Sequence, residues 1–268
     1  MPELPEVETT VRGLERVLKG RRITRVEARR ADLRRSFPKD LGQRLTGAKV
    51  TGLGRRAKYG LIHTDRDDTM IFHLGMSGSW RIDHAPLEKH DHLLLETDDG
   101  KRLALNDPRR FGSVDLVATA ELDRWPAFEA LGPEPFELDA PELQRRLRGR
   151  TAAIKLLLGD QRVVAGLGNI YVCEALYRAR IHPKRAGGSV SLDRLKRLVA
   201  AIKEVLTEAI EAGGSTLRDF ISPDGELGYF SKTFAVYDRE GQPCGCGGTV
   251  RRFAQGGRST FYCPACQR

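Results

Sequence analysis

The segment HLLLETDDGKRLALN, residues 92–106, contains two apolar runs that flank Asp99-Gly100. Asp-Gly between two such runs is a strong signal for a β-hairpin, because glycine readily adopts the positive φ that a tight turn requires. Short apolar runs of the same kind, separated by glycine and aspartate, continue on both sides from RITRVEA (22–28) to SVDLV (113–117). We therefore predict a β-rich sandwich or barrel over about residues 20–118.

An amphipathic helix is predicted ahead of these strands. Val7, Val11, Leu14 and Leu18 recur at helical spacing and share one face, so the helix should begin near Pro5 and end at Gly20.

Beyond the strands the pattern changes to helices. LGPEPFELDAPEL (131–143) has three prolines and four acidic residues and predicts a linker, and helical periodicity then runs from Gln144 to about Gly213. Its clearest part is SLDRLKRLVAAIKEVLTEAIEAGG (191–214), where Ser191 suits an N-cap. The predicted class is α+β, and the predicted divisions are an N-terminal domain (1–130), the linker (131–143), a helical domain (144–215), an aromatic loop region (216–234) and a cysteine-rich module (235–268).

The composition indicates the partner. Forty-five Lys and Arg against 36 Asp and Glu give a net charge of +9 and a pI near 9.5, which favours a polyanion such as nucleic acid. The N-terminus lacks the apolar region of a signal peptide and no apolar run reaches membrane-spanning length, so we expect a cytoplasmic protein with no membrane contact. We also expect a monomer.

Four of the five cysteines lie near the C-terminus and predict one structural zinc ion. The ligands would be Cys244, Cys246, Cys263 and Cys266, in two short pairs. The first pair encloses one residue instead of the usual two, and the glycines around it could allow the tighter loop. Four thiolates leave no open position, so the zinc would not be catalytic.

The N-terminus itself could be reactive. If Met1 is removed, Pro2 carries a secondary amine with a pKa of about 8, well below that of lysine, and such an amine can attack a sugar C1′ to form an iminium. Glu3 could act as an acid beside it. The same residues also suit an ordinary helix start, because proline and glutamate are both favoured there.

Together the motifs resemble those of the bacterial formamidopyrimidine-DNA glycosylases along essentially the whole chain. The matching stretches, in order, are PELPEVET (2–9), RRAKY (55–59), HLGMSGS (73–79), KHDH (89–92), NDPRRFG (106–112), LGPEP (131–135), GNIY (168–171), RIHP (180–183), GGSTLRDF (213–220), GYF (228–230) and GRSTFYCPACQ (257–267).

The resemblance implies a fold and a reaction. The fold would be a β-sandwich with a leading helix, a helix–two-turns–helix domain and a zinc-finger hairpin. The reaction would be excision of oxidised purines from double-stranded DNA followed by β,δ-elimination, with no nucleotide cofactor. By the same resemblance, Pro2 would be the nucleophile, Glu3 the acid, Lys58 the proton donor in β-elimination, and Arg258 the residue linked to δ-elimination.

Other residues would hold the DNA by the same resemblance. Met76, Arg109 and Phe111 would fill the gap left by an extruded nucleotide, and the loop from Ser222 to Phe230 would cover the flipped purine. The implied DNA contacts are His90, Arg109, Arg150, Lys155 and Asn169.

Two other functions stay open from the sequence. One is an endonuclease VIII-like glycosylase for oxidised pyrimidines, although PELPEV and DPRRFG favour the purine enzyme. The other is a zinc-dependent nucleic-acid-binding protein without catalysis.

Overall fold

A computed structural model describes residues 2–83, 86–215, 222–223, 225 and 228–268. It divides into two compact units: Met1–Glu129 with Ala212–Tyr229, here called the sandwich unit, and Ala130–Glu211 with Phe230–Arg268, here called the helical unit. No helix in the described residues is long and apolar enough to cross a bilayer.

The sandwich unit contains two four-stranded antiparallel sheets with the orders β1-β6-β7-β5 and β2-β3-β4-β8. The strands β1 to β8 are, in order, Ile23–Ala28, Val50–Arg56, Tyr59–Thr64, Asp68–His73, Ser79–Ile82, Asp91–Thr97, Arg102–Asn106 and Ser113–Ala118. Apolar side chains of both sheets share one core, in which Phe72 and Trp80 meet edge to face at 5.7 Å between ring centroids. The sheets stay separate, so the β-rich region is a sandwich and not a barrel.

The predicted hairpin and leading helix are both confirmed. Strands β6 and β7 are joined at Asp99-Gly100, where Gly100 has φ +82° and its N–H donates to Thr97 O at 3.0 Å. Helix α1 (Leu4–Leu18) directs its four predicted apolar residues into the core and is followed by Gly20 at φ +80°. The other helices of this unit are the short α2 (Leu41–Leu45), a 3-10 turn (Thr119–Arg124) and α3 (Pro126–Glu129).

The helical unit contains α4 (Ala140–Leu147), α5 (Ile154–Leu158), α6 (Asn169–Arg178) and α7 (Leu192–Glu211), with 3-10 turns at Gly187–Ser189 and Phe230–Thr233. Helix α4 begins inside the segment that we predicted to be a linker. Asp139 caps it by accepting the N–H of Glu142 at 2.7 Å, and Pro141 fits the first turn because no helical hydrogen bond needs its nitrogen. Proline there marks a helix start, so the linker prediction was wrong at its last four residues.

The C-terminal residues form a two-stranded antiparallel hairpin. Strands β9 (Arg251–Gln255) and β10 (Arg258–Tyr262) are joined by Gly256 and Gly257, both at positive φ. The loop that we expected to cover a flipped base, from Ser222 to Phe230, lies in large part outside the described residues.

Candidate functional site

Glu3 and Glu6 are buried at the start of α1, directly after the buried Pro2. The Glu3 N–H donates to Glu6 Oε2 at 2.9 Å, and the Glu3 side chain accepts the Glu6 N–H in return, which makes a capping box. The other Glu6 oxygen accepts the N–H of Ser215 at 2.8 Å. Glu6 therefore has structural partners on both carboxylate oxygens, while Glu3 lies next to the residue that would react.

Lys58 lies in the turn between β2 and β3, and this hairpin packs against α1. The preceding Ala57 has φ +52°, and its carbonyl accepts a 2.8 Å hydrogen bond from Arg55. Arg55 also forms an ion pair with Glu8 of α1 at 3.1 Å. The turn is thus tied to α1, and Lys58 is held there with only 6% of its surface exposed.

His73, at the end of β4, is kept neutral. Burial and, next in weight, the positive charge of Lys58 lower its pKa to about 4. Its Nδ1 accepts the N–H of Gly75 at 3.0 Å, and its ring lies 4.8 Å from that of Tyr59. An uncharged imidazole therefore borders the region of Lys58.

The loop that carries Met76 touches the turn that carries Arg109 and Phe111. Gly75, at φ +63°, approaches this turn so closely that a Cβ would lie 2.3 Å from the carbonyl carbon of Phe111. Gly112 fits equally tightly, because a Cβ there would lie 2.8 Å from the carbonyl oxygen of His73. The two segments predicted to fill an empty base position are therefore packed backbone against backbone.

Asp107 joins these segments, although it was not among the predicted site residues. This fully buried carboxylate accepts the Ser77 hydroxyl and the Gly112 N–H, both at 2.8 Å. Its carbonyl is hydrogen-bonded to His92 at 3.0 Å, and its N–H donates to His90 O at 3.0 Å. Its position inside the motif NDPRRFG was the available signal. The structure explains its burial, because a buried carboxylate is stable only where several hydrogen-bond donors satisfy it.

The side chains at the tip of this assembly reach the surface. The Arg109 guanidinium lies over the Phe111 ring, 5.0 Å from its centroid, and Phe111 is 44% exposed. Met76 and His90 are half-buried. An apolar side chain, an aromatic ring and an arginine thus occupy one edge of the sandwich unit, a combination suited to wedging into a base stack.

A second group of predicted residues meets in the helical unit. Lys155, Asn169 and Arg258 all line one cavity of about 190 Å³, together with Leu156, Gly168 and Gly256. Lys155 Nζ donates to Thr260 Oγ1 at 2.7 Å, and Asn169 Nδ2 donates to Ser259 O at 2.8 Å. Both bonds fix the hairpin strand β10 against the helices.

Asn169 Oδ1 is buried and has no hydrogen-bond partner among the described residues. Two cationic side chains, Lys155 and Arg258, and the first residue of α6 make the cavity suited to an anion such as phosphate.

Arg150 is not one of the residues that line this cavity. It lies exposed in the segment after α4, where its carbonyl accepts the Gly188 N–H at 2.8 Å. Pro2, Glu3 and Lys58 belong to the sandwich unit, so the predicted site residues fall into two groups in different units.

The four predicted zinc ligands lie together. Their sulfur atoms are all within 4.8 Å of one another, with Cys244–Cys266 at 3.7 Å and Cys246–Cys263 at 3.6 Å. Zn–S bonds of about 2.3 Å in a tetrahedron place sulfurs about 3.8 Å apart, so the cluster fits one zinc ion.

The shortened first loop closes through its glycines. Gly247 has φ +84° and donates its N–H to Cys244 O at 2.9 Å. A Cβ on Gly248 would lie 3.2 Å from Cys263 Sγ and 3.4 Å from Cys246 Sγ, so this position favours a residue without a side chain. The glycines thus let a one-residue loop present both sulfurs to the same centre.

Glu174 is a further buried residue that was not among the predicted site residues. It is fully buried in α6, and its carboxylate accepts three successive backbone N–H groups, those of Ala235 (3.0 Å), Val236 (3.0 Å) and Tyr237 (2.8 Å). The signal was a carboxylate between apolar residues of a buried helix. Its contacts hold the segment that leads into the zinc-binding hairpin.

Family models match three parts of the chain. They are the formamidopyrimidine-DNA glycosylase N-terminal domain over residues 1–114, the H2TH domain of the same enzymes over 131–221, and a zinc finger found in FPG and IleRS over 241–268.

Similar proteins cover the full length. Proteins named formamidopyrimidine-DNA glycosylase from Novosphingobium aromaticivorans and Rhizorhabdus wittichii are 68% and 65% identical, with all of both chains aligned. A crystal structure of a Lactococcus lactis FPG mutant with DNA containing Fapy-dG is 36% identical, has a TM-score of 0.92 and is likewise covered completely. The fold, the cysteine cluster and these similarities agree along the entire length, and the chain belongs to the formamidopyrimidine-DNA glycosylase family.

Proposed function

We propose that this chain removes oxidised purines from double-stranded DNA through a Schiff base on Pro2 and then cleaves the strand by β,δ-elimination. Membership of the family supports the glycosylase activity on oxidised purines, and the Lactococcus relatives were solved with DNA containing Fapy-dG or an abasic site. The observation that carries the Pro2 assignment is the burial of Pro2 and Glu3 together at the start of α1, beside the hairpin that carries Lys58.

The chemical steps assign one role to each group. With Met1 removed, the Pro2 nitrogen attacks C1′, the bond from C1′ to the base breaks, and the base leaves with a proton. Glu3 supplies a proton that opens the sugar ring and so favours the iminium. The iminium acidifies the C2′ proton, which is lost to water as the C3′–O bond breaks, and Lys58 donates a proton to the departing 3′ phosphate. A second elimination releases the 5′ phosphate, with Arg258 at that phosphate.

Extrusion of the nucleotide precedes this chemistry. A stacked and paired base cannot be reached, and its extrusion costs a few kcal/mol. Met76 and Phe111 would fill the vacated space while Arg109 faces the orphaned cytosine. Lys155 and Asn169 would hold backbone phosphate, with His90 and Arg150 as further DNA contacts, so phosphate contacts would offset the cost of extrusion.

The proposed division of labour follows the predicted domains. Residues 1–130 would carry the reaction, 144–215 and the hairpin within 235–268 would hold DNA, and part of 216–234 would cover the purine. One zinc ion, held by the four cysteines, would fix the hairpin and would supply no reactive position. Metal analysis of the purified protein should find about one zinc per chain.

Borohydride trapping on a duplex with 8-oxoguanine opposite cytosine tests the proposal. Reduction of the iminium should link enzyme and DNA, and peptide mapping should place the link on Pro2. Pro2→Gly and a form that retains Met1 should lose strand cleavage but keep most of their affinity for lesion DNA. Pro5→Ala is the matched control, because the Pro5 nitrogen lies within a peptide bond and cannot react.

Each alternative has its own outcome in this experiment. A link to an interior lysine, or full cleavage by the form that retains Met1, would remove Pro2 from the mechanism. No link in any form would indicate a DNA-binding protein without catalysis. Faster excision of oxidised pyrimidines than of 8-oxoguanine would assign the chain to the endonuclease VIII-like enzymes.

A further inference from the structure

A tyrosine of the helical unit touches the zinc-binding cluster. Tyr177, in the last turn of α6, places its hydroxyl 3.2 Å from Cys244 Sγ. Its ring packs against the apolar cluster that contains Cys173, Cys244 and Cys263. A zinc-bound cysteine is a thiolate without a proton, so the hydroxyl is the donor in this hydrogen bond.

The short first cysteine loop has few backbone donors of its own, so a donor from another element adds to the stabilisation of its thiolates. Backbone N–H groups within and after a cysteine loop stabilise thiolates, as the Gly248 N–H does for Cys246 Sγ at 3.4 Å. A loop that encloses one residue instead of two contains one N–H fewer. Tyr177 brings a donor from a different element to the first cysteine of that loop.

The sulfurs also face open space on this side. Tyr177, Arg178, Arg180, Gly245, Cys246 and Cys266 line a cavity of about 330 Å³. Cys246 is exposed and Cys266 is half-buried. Water, chelators and oxidants can therefore approach the cluster here, and a hydrogen-bonded thiolate is a weaker nucleophile and a weaker base than a bare one.

We propose that Tyr177 is a positioning residue for the zinc centre, whose hydroxyl donates to the Cys244 thiolate and thereby slows the loss of zinc from the hairpin. The bond also ties the hairpin to the C-terminal end of α6, while Asn169 ties it to the N-terminal end through Ser259. The helix thus holds the zinc-binding hairpin at both of its ends. This inference depends on the zinc centre and not on the role of Pro2.

Zinc transfer from the full-length protein to a colorimetric chelator tests the proposal. Tyr177→Phe removes one oxygen and keeps the ring, so packing should survive, and circular dichroism will check this. Partners that orient metal ligands typically contribute about tenfold or more to metal affinity, so we expect Tyr177→Phe to release zinc about tenfold faster than the parent protein.

Tyr262→Phe is the matched control. Tyr262 directly precedes the ligand Cys263, and its ring packs against His182 and Phe253. Loss of the Tyr262 hydroxyl therefore tests for a general effect of removing a tyrosine hydroxyl near the cluster. This variant should release zinc at the parental rate.

Cobalt substitution provides an absorption band whose energy a change in packing alone would not shift. A hydrogen bond stabilises the sulfur lone pairs, so its removal in Tyr177→Phe should shift the sulfur-to-cobalt charge-transfer band to lower energy, with no shift in Tyr262→Phe. If Tyr177→Phe does not fold, 3-fluorotyrosine at position 177 keeps the hydroxyl as a stronger donor and should shift the band to higher energy. A parental release rate or an unmoved band would overturn the proposal.

Discussion

Glu3 and Glu6 have the same functional group but different surroundings. Both Glu6 oxygens accept backbone N–H groups, from Glu3 and from Ser215, so its carboxylate has a structural role at the start of α1. Glu3 also accepts a backbone N–H, but it follows directly on Pro2 and is 2% exposed. A buried carboxyl next to the proposed nucleophile is well placed to transfer a proton.

Glu3→Gln should separate excision of the base from formation of the Schiff base at an abasic site. Glutamine can still accept the Glu6 N–H, so the helix start should survive, but it cannot supply a proton. We expect excision of 8-oxoguanine to fall by about 100-fold or more, while borohydride trapping on abasic-site DNA, whose sugar opens to the aldehyde without an acid from the enzyme, falls much less. Glu15→Gln, at a half-exposed position of the same helix whose carboxylate pairs with Lys19, is the control, and parental excision by Glu3→Gln would exclude the acid role.

His73 predicts a pH dependence of stability. Its pKa is about 4 in the fold against about 6.5 in an unfolded chain, so the unfolded state binds the proton more tightly. The stabilisation is complete above about pH 6.5 and is lost as the pH falls toward 4. Between pH 7 and pH 5 this amounts to about 2 kcal/mol.

Urea unfolding at these two pH values measures the effect. His73→Asn keeps an acceptor near the Gly75 N–H but does not titrate, so its free energy of unfolding should fall by about 2 kcal/mol less than that of the parent. Equal losses in both proteins would show that His73 is not the titrating group.

At the scale of elements, the proposed wedge, carried by residues 73–79 and 106–112, depends on two backbone segments in direct contact. Asp107 bonds to both segments, and Gly75 and Gly112 allow them to approach. The two segments of the proposed wedge therefore form one assembly on the sandwich and not a pair of independent loops.

Gly75→Ala and Gly100→Ala form a matched pair that tests this contact. Both glycines have positive φ, so each alanine costs about 1–2 kcal/mol in backbone strain. At Gly100 no atom lies within 4 Å of the new Cβ, but at Gly75 it would collide with the backbone of Phe111. We expect Gly75→Ala to lower the melting temperature further and to lose excision on duplex DNA, while Gly100→Ala keeps it. Equal effects would argue against a rigid wedge.

At the scale of the whole molecule, the net charge of +9 favours binding to a polyanion. Each phosphate contact adds about 0.9 to the slope of log affinity against log salt concentration. The proposed contacts lie in both compact units, so their contributions should be separable by single substitutions.

Arg150→Gln should lower the salt-dependence slope of the affinity by about 1 and should weaken binding similarly for all DNA sequences. Arg145→Gln is the control, because Arg145 is exposed on α4 and paired with Glu142 of the same helix. Lesion-duplex binding at several salt concentrations measures both slopes. An unchanged slope in Arg150→Gln would remove this residue from the DNA contacts.

The sequence by itself determined the order of elements, the Asp99-Gly100 hairpin, the leading helix and the four cysteine ligands. These features depend on local preferences, such as hydrophobic periodicity, turn residues and ligand spacing, which act over a few residues. The same local reasoning placed Pro141 in a linker, although Asp139 makes it part of a helix start.

Only the tertiary structure decided which distant residues share a site. It placed Lys155 against Thr260, 105 residues away, and Tyr177 against Cys244, 67 residues away. It also made Asp107 the link between two loops. Such contacts result from packing and from the need to satisfy buried polar groups, and no local pattern encodes which partners will meet.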